Sequence, residues 1–102
     1  MATYSSNTTI KYTGTQVAQT RTSTGSIYTV TSGKTLVGAI NVFLSSGTAT
    51  VTIDGTTIAQ IDSSGTENVT LPLYANSGAV IACTISLSGR VSVFGVLQEN
   101  TP

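Results

Sequence analysis

The chain has no histidine and no tryptophan, a single cysteine, two prolines and only four basic and four acidic residues. Each scarcity excludes something. Without histidine the usual general base, the commonest metal ligand and the side chain that titrates near neutrality are all missing. No Ser-His-Asp or Cys-His arrangement can form within one chain, and the chain is not expected to be an enzyme. The lone Cys83 excludes an intramolecular disulfide. With four Lys and Arg against four Asp and Glu the formal net charge is 0. No basic stripe is present to track phosphates, so no nucleic acid is expected as a partner. No apolar run approaches the ~20 residues of a membrane helix, which argues against a membrane partner. The start, Met1-Ala2-Thr3-Tyr4-Ser5-Ser6, lacks the basic and apolar regions of a secretion signal, so synthesis in the cytoplasm is expected.

What is abundant points one way. Twenty Thr and 13 Ser stand among 102 residues, and 39% of the chain is hydrophobic with only six aromatics. The core must come from Val, Ile, Leu and Ala. Thr, Val and Ile are stiff at χ1 and suit a pleated surface. One domain is expected at this length. Charged residues amount to 8%, against about 25% in ordinary globular proteins. Such a surface is either coated by hydroxyls or covered by other subunits. Charge is depleted at interface cores, so the covered surface is the preferred reading.

Residues 1–24 are polar, with Ile10, Tyr12 and Val17 as isolated apolar points. They read as an extended N-terminal arm with one or two short strands, in which Tyr4 and Tyr12 would anchor against a neighbour. Residues 25–102 carry strand-like runs separated by turn signals every 8 to 12 residues or so, the spacing of a sandwich or barrel. Ser26 to Thr31 is a strand ended by Ser32-Gly33-Lys34. Thr35 to Leu44 alternates Leu36, Ile40, Val42 and Leu44 with Val37, Ala39 and Phe43. That strand is apolar on both faces and is expected to be buried on both, with Asn41 needing a hydrogen-bond partner. Asp54-Gly55 between two alternating runs marks a type I′ hairpin, pairing Ile53 with Thr56 and Val51 with Ile58. Pro72 places its strand, Glu67 to Tyr74, at an edge or bulge. Ser88-Gly89 would close a last hairpin that pairs Cys83 with Phe94 and Ile81 with Val96. Val91 and Val93 would then point outward as a contact surface. About eight strands and no helix result. Ser32-Gly33 precedes Ile40 by the same interval as Ser77-Gly78 precedes Ile85, an echo that two halves of a jelly roll would produce and that chance would produce equally.

Candidate chemistry is sparse. Cys83 alternates with Ile81 and Ile85 and reads as a small core hydrophobe. Asp54 is accounted for by its turn. Asp62 and Glu67 flank a glycine-containing loop that could offer oxygens to Ca²⁺, though no recognised loop spacing is present and a solvated loop is the plainer reading. The triplets Asn7-Thr8-Thr9 and Asn68-Val69-Thr70 match a glycosylation pattern in a Thr-rich chain that would generate it by coincidence. No phosphate loop or zinc spacing occurs, and no cofactor or metal is expected.

The run Tyr28-Thr29-Val30-Thr31-Ser32-Gly33-Lys34-Thr35-Leu36-Val37 resembles a strand-turn-strand signature of small β-sandwich proteins in tailed-bacteriophage particles, with Thr31 where those commonly have proline. The hairpin Thr50-Val51-Thr52-Ile53-Asp54-Gly55-Thr56 and the final strand into Val96-Leu97 are similar to the same pattern. The resemblance spans Ser26 to Gln98. It implies an all-β, antiparallel, jelly-roll-like sandwich without catalysis, assembled on a capsid or tail, often as a homotrimer. The expected role is a capsid decoration (cement) protein in the virion, partnered by itself and by the major capsid protein or another virion protein. The alternative is a tail-associated module that recognises a host glycan or protein.

Overall fold

The computed structural model describes residues 14–63 and 65–99. Among them are seven strands and no helix: β1 (Thr15–Arg21), β2 (Gly25–Thr29), β3 (Lys34–Ile53), β4 (Thr56–Ser63), β5 (Glu67–Ala75), β6 (Val80–Ile85) and β7 (Ser88–Glu99). All pairings are antiparallel, and the strands form one curled sheet.

β3 organises the rest. It is 20 residues long, far above the usual five or six, and its two halves have different neighbours. Lys34 to Leu44 lies between β7 and β5, and Gly47 to Ile53 lies between β4 and β6. With β1 beside β7 and β2 beside β6, two four-stranded wings share one strand: β1-β7-β3-β5 and β4-β3-β6-β2. At the joint the register against β7 slips between Leu44 and Ser46, and Gly47 adopts φ +88°. An inserted residue reverses which side chains face inward. Leu36, Ile40, Val42 and Leu44 are fully buried before the joint, and Ala49 and Val51 after it.

Hydrogen bonds show how far the sheet curls. Fully extended, the span from Lys34 to Ile53 would cover about 60 Å. Yet Val30, four residues before Lys34, bonds through its amide to the Ala79 carbonyl (2.9 Å). The next residue, Val80, exchanges two bonds with Asp54, just after Ile53: Asp54 N to Val80 O and Val80 N to Asp54 Oδ1, both 2.9 Å. Four residues reach at most ~14 Å, so the two ends of β3 are brought to the same end of the molecule. Inward residues of both wings form one cluster, including Val17, Leu36, Ile40, Leu73, Ile81, Cys83, Val91, Val93 and Leu97. Full burial of each Leu, Ile or Val there contributes about 1.5–3 kcal/mol.

Two turns stand side by side at that end. Lys34 N bonds Thr31 O (3.1 Å) with Gly33 at φ +81°, and Ala79 N bonds Asn76 O (3.0 Å) with Gly78 at φ +80°. Both need positive φ at the third turn residue, which glycine supplies. They are stitched by Gly33 N to Ser77 Oγ (2.8 Å) and Gly78 N to Val30 O (3.0 Å). The Ser-Gly echo of the sequence thus places two equivalent turns in contact.

The Asp54-Gly55 hairpin is present, with φ +50° and +83° at its two central residues as a type I′ turn requires. Ile53 opposes Thr56 as expected. A register shift between Val51 and Thr52 then puts Ala59, not Ile58, opposite Val51, and Ile58 is left 43% exposed. Pro72 lies in β5, which among the described residues pairs only with β3 and is an edge. The expected β6–β7 hairpin does not form. β6 pairs with β2 and the second half of β3, and β7 with β1 and the first half. A two-residue turn is a local preference, and here the connection from Ile85 to Ser88 crosses between wings instead. The stretch expected as an arm contributes β1, paired with β7 along its whole length; residues 1–13 lie outside the described part.

At the centre of the first wing Gly38 opposes Gly95. A Cβ on Gly38 would stand 2.0 Å from the Phe94 carbonyl oxygen and 2.6 Å from Gly95 Cα, so backbone would have to move. Gly38→Ala is expected to cost about 3 kcal/mol, read as a lowered urea midpoint with unchanged slope. Gly65→Ala, with open space at its Cβ, should stay within about 0.5 kcal/mol.

Candidate interaction surface

Because side chains alternate faces, the first wing presents an outer face opposite the core. Its four strands align into rows. One reads Gln16, Val96, Val37, Tyr74, and the next Ala18, Phe94, Ala39, Pro72. A third reads Thr20, Ser92, Asn41, Thr70, and in the last Phe43 stands between Arg90 and Asn68.

The last two rows satisfy themselves. Thr20 Oγ1 and Ser92 Oγ are 2.9 Å apart. The Asn41 amide donates to Asn68 Oδ1 (2.8 Å) and Thr70 Oγ1 (3.0 Å), the partners this residue was expected to need. The Arg90 guanidinium sits 4.8 Å from the centre of the Phe43 ring, a cation–π contact worth about 0.5–1 kcal/mol at an exposed site. Apart from Gln16 the first two rows are apolar, and their large side chains are uncovered: Val37 is 45% exposed, Phe94 42% and Tyr74 66%. At the β1 end they run into an open groove of about 430 Å³ lined by Gly14, Gln16, Phe94, Gly95 and Val96. Among the described residues that line it, Gln16 has the one polar side chain.

The expectation that β3 is buried on both faces is therefore met on one side only. Leu36, Ile40, Val42 and Leu44 are fully buried, whereas Val37 faces outward. Val91 and Val93, expected on a contact surface, are fully buried. The reason is the partner of β7. Pairing with β3 and β1 turns Val91, Val93 and Leu97 into the core and Phe94 to the outside, the reverse of the face a β6–β7 hairpin would impose. Tyr4 and Tyr12 lie outside the described residues. Sequence reasoning missed Val37, Tyr74 and Phe94 as a surface group, although the doubled apolar alternation of Thr35 to Leu44 was its signal.

Among the described residues no group of three or more His, Cys, Asp or Glu is placed to hold a metal ion. Asp54 accepts the Val80 amide, and Asp62 and Glu67 lie on exposed strand positions. Cys83 is 3% exposed, and its thiol donates to the Ser23 carbonyl at 3.6 Å. Burial pushes the thiol above its ordinary range, against smaller opposing effects from the Gly25 backbone and the Arg21 charge. The thiolate, which is the nucleophile, is disfavoured.

Comparison with protein-family models, curated proteins and solved structures yields no match, so none of them links the chain to a known family.

A raised thiol pKa favours the folded state below the unfolded thiol value near ~8.5 and loses that contribution as pH rises through the folded value. Relative to the parent protein, Cys83→Ala should therefore lose less stability between pH 8 and the alkaline range, measured by urea unfolding at each pH. In the native parent the thiol should react with an aromatic disulfide reagent only as fast as the sheet opens.

Proposed function

We propose that this chain is a non-enzymatic structural protein of a tailed-phage virion, a decoration protein that lays the outer face of its first wing on neighbouring shell subunits. The observation that carries the reading is the pair of apolar rows, Val37, Tyr74 and Phe94 with Ala18, Ala39 and Pro72 beside them, left uncovered on an otherwise satisfied face. The low charge of the chain supports it, as does the resemblance of the Tyr28 to Val37 segment.

The strand order supports a jelly-roll sandwich as the finer description of the fold. Divided at its joint, β3 counts as two strands, making eight. The first then pairs with the last, the second with the seventh, the third with the sixth and the fourth with the fifth. That is one long antiparallel ribbon, rolled up so that β7 and β6 close against the two halves of β3. Jelly rolls of this order serve as capsid and lectin domains among others, so the order favours a binding or assembly role without choosing a partner.

Magnitude limits how such a protein attaches. Phe and Tyr bury about 150–250 Å² each when fully covered, so the uncovered parts of Val37, Phe94 and Tyr74 amount to roughly 300 Å². At ~25 cal/mol per Å² this gives about 7 kcal/mol, comparable to the cost of association. One face alone binds weakly, and stable attachment needs several contacts acting together. A repeating shell provides them. The alternative role, recognition of a host glycan or protein, finds less support, because a ligand site needs several convergent polar groups and among the described residues the groove offers Gln16 alone.

Quantitative mass spectrometry of density-purified particles should find the chain at a fixed ratio to the major capsid protein; recovery only from the unbound fraction would overturn the proposal. Val37→Glu with Phe94→Glu should move it to the unbound fraction, with a stability change within about 0.5 kcal/mol per exposed substitution.

A further inference from the structure

An edge strand offers a row of unpaired backbone groups to any other chain, and folded proteins blunt such edges with proline, charge or bulges. Among the described residues this sheet has four edges, and three carry such a device. β5 has Pro72 at its middle and Glu67 at its start. β4 has the register shift between Val51 and Thr52 in its ladder and carries Asp62. β2 has a register shift between Ser26 and Tyr28. β1 has none. It pairs with β7 in an unbroken register from Thr15 opposite Leu97 to Arg21 opposite Val91, and it holds no proline. Its one charge, Arg21, is turned onto its own loop, with Nε donating to Ser23 O (2.9 Å) and Nη2 to Thr24 O (3.1 Å). Thr15, Gln16, Ala18, Gln19 and Thr20 are exposed, and among the described residues β1 has no other strand partner.

The sequence of β1, Thr-Gln-Val-Ala-Gln-Thr-Arg, can also be laid antiparallel against a second copy of itself without a clash of charge. In an antiparallel pair centred on Ala18, Ala18 meets Ala18 of the second copy, Val17 meets Gln19, Gln16 meets Thr20 and Thr15 meets Arg21. Gln16 and Thr20 can hydrogen-bond across the joint, no like charges face each other, and the smallest side chain sits on the two-fold axis where room is least. We propose that two copies of this chain join through β1, antiparallel about Ala18, into one continuous eight-stranded wing. The Ala39-Phe94-Ala18 row then runs on into the same row of the second copy, which doubles the uncovered apolar face. This pairing is independent of what that face binds. It differs from the trimer implied by the phage resemblance, because a two-fold contact between identical edges closes at two copies.

Light scattering after size exclusion, on the full chain, tests the pairing. The parent protein is expected to be a dimer; a monomer or a trimer would overturn the proposal. Ala18→Lys and Ala18→Glu each put like charges directly opposite across the axis, and each should weaken the dimer at least tenfold. An equimolar mixture of the two should restore a dimer, which neither misfolding nor general loss of solubility would do. A dimer undiminished in either variant, or a mixture that stays monomeric, would overturn the Ala18 register. Val37→Glu with Phe94→Glu should leave the dimer intact, separating failure of this pairing from failure of the outer-face reading; loss of the dimer there would place the contact on the face and overturn the edge pairing.

Discussion

Everything in this molecule depends on one strand changing neighbours partway along its length. Up to Leu44, β3 hydrogen-bonds to β7 and β5; from Gly47 on, it bonds to β4 and β6. The slipped residue and the positive φ of Gly47 convert a strand that would otherwise run straight into a bent one whose two halves face the same core. A Cβ on Gly47 would stand 2.5 Å from Ser86 Oγ, and that hydroxyl accepts the Thr48 amide beside it (2.8 Å). The bend is thus fixed by backbone geometry and by a serine from the opposite crossing. With the bend in place, inward residues of both wings join one core cluster. Without it the same residues would make a flat sheet with an apolar face in water.

The outer face follows from the same constraint. A sheet folded once over itself covers one side of each wing and leaves the other side to the solvent. On two rows of the first wing's outer face this chain answers with Thr, Ser and Asn side chains bonded to one another. At Val37, Phe94 and Tyr74 on that face it does not, and these lie together because register aligns them.

The sequence made the elements legible and left the partners obscure. Alternation located the Thr35 to Leu44 run, the Asp54-Gly55 turn and the edge character of Pro72, because each is decided by a few adjacent residues. The continuation of β3 through Ser45-Ser46-Gly47 was hidden, since those residues carry every mark of a turn and the structure uses them as a bulge inside a strand. The same kind of error misplaced Val91 and Val93. Ser88-Gly89 satisfies the local chemistry of a two-residue hairpin, yet the pairing of β7 is set by β3 and β1, far away in the chain. Inverting one pairing inverts a face, so Phe94 moved from expected core to surface. The candidate surface was legible only as an excess: a strand with more apolar faces than one chain can cover.

The pairing of β1 with β7 has a consequence for synthesis. The strand nearest the start of the chain has its one described ladder with the strand nearest the end. The β3–β4 hairpin is the one pairing between strands adjacent in sequence. Loop-closure entropy favours forming that hairpin first and the longest-range pair last. The ribosome therefore delivers β1 first, and the fold uses it last. Its one described ladder partner, β7, emerges last of the described strands, and the exposed side chains of β1 are mostly Thr and Gln, which water solvates.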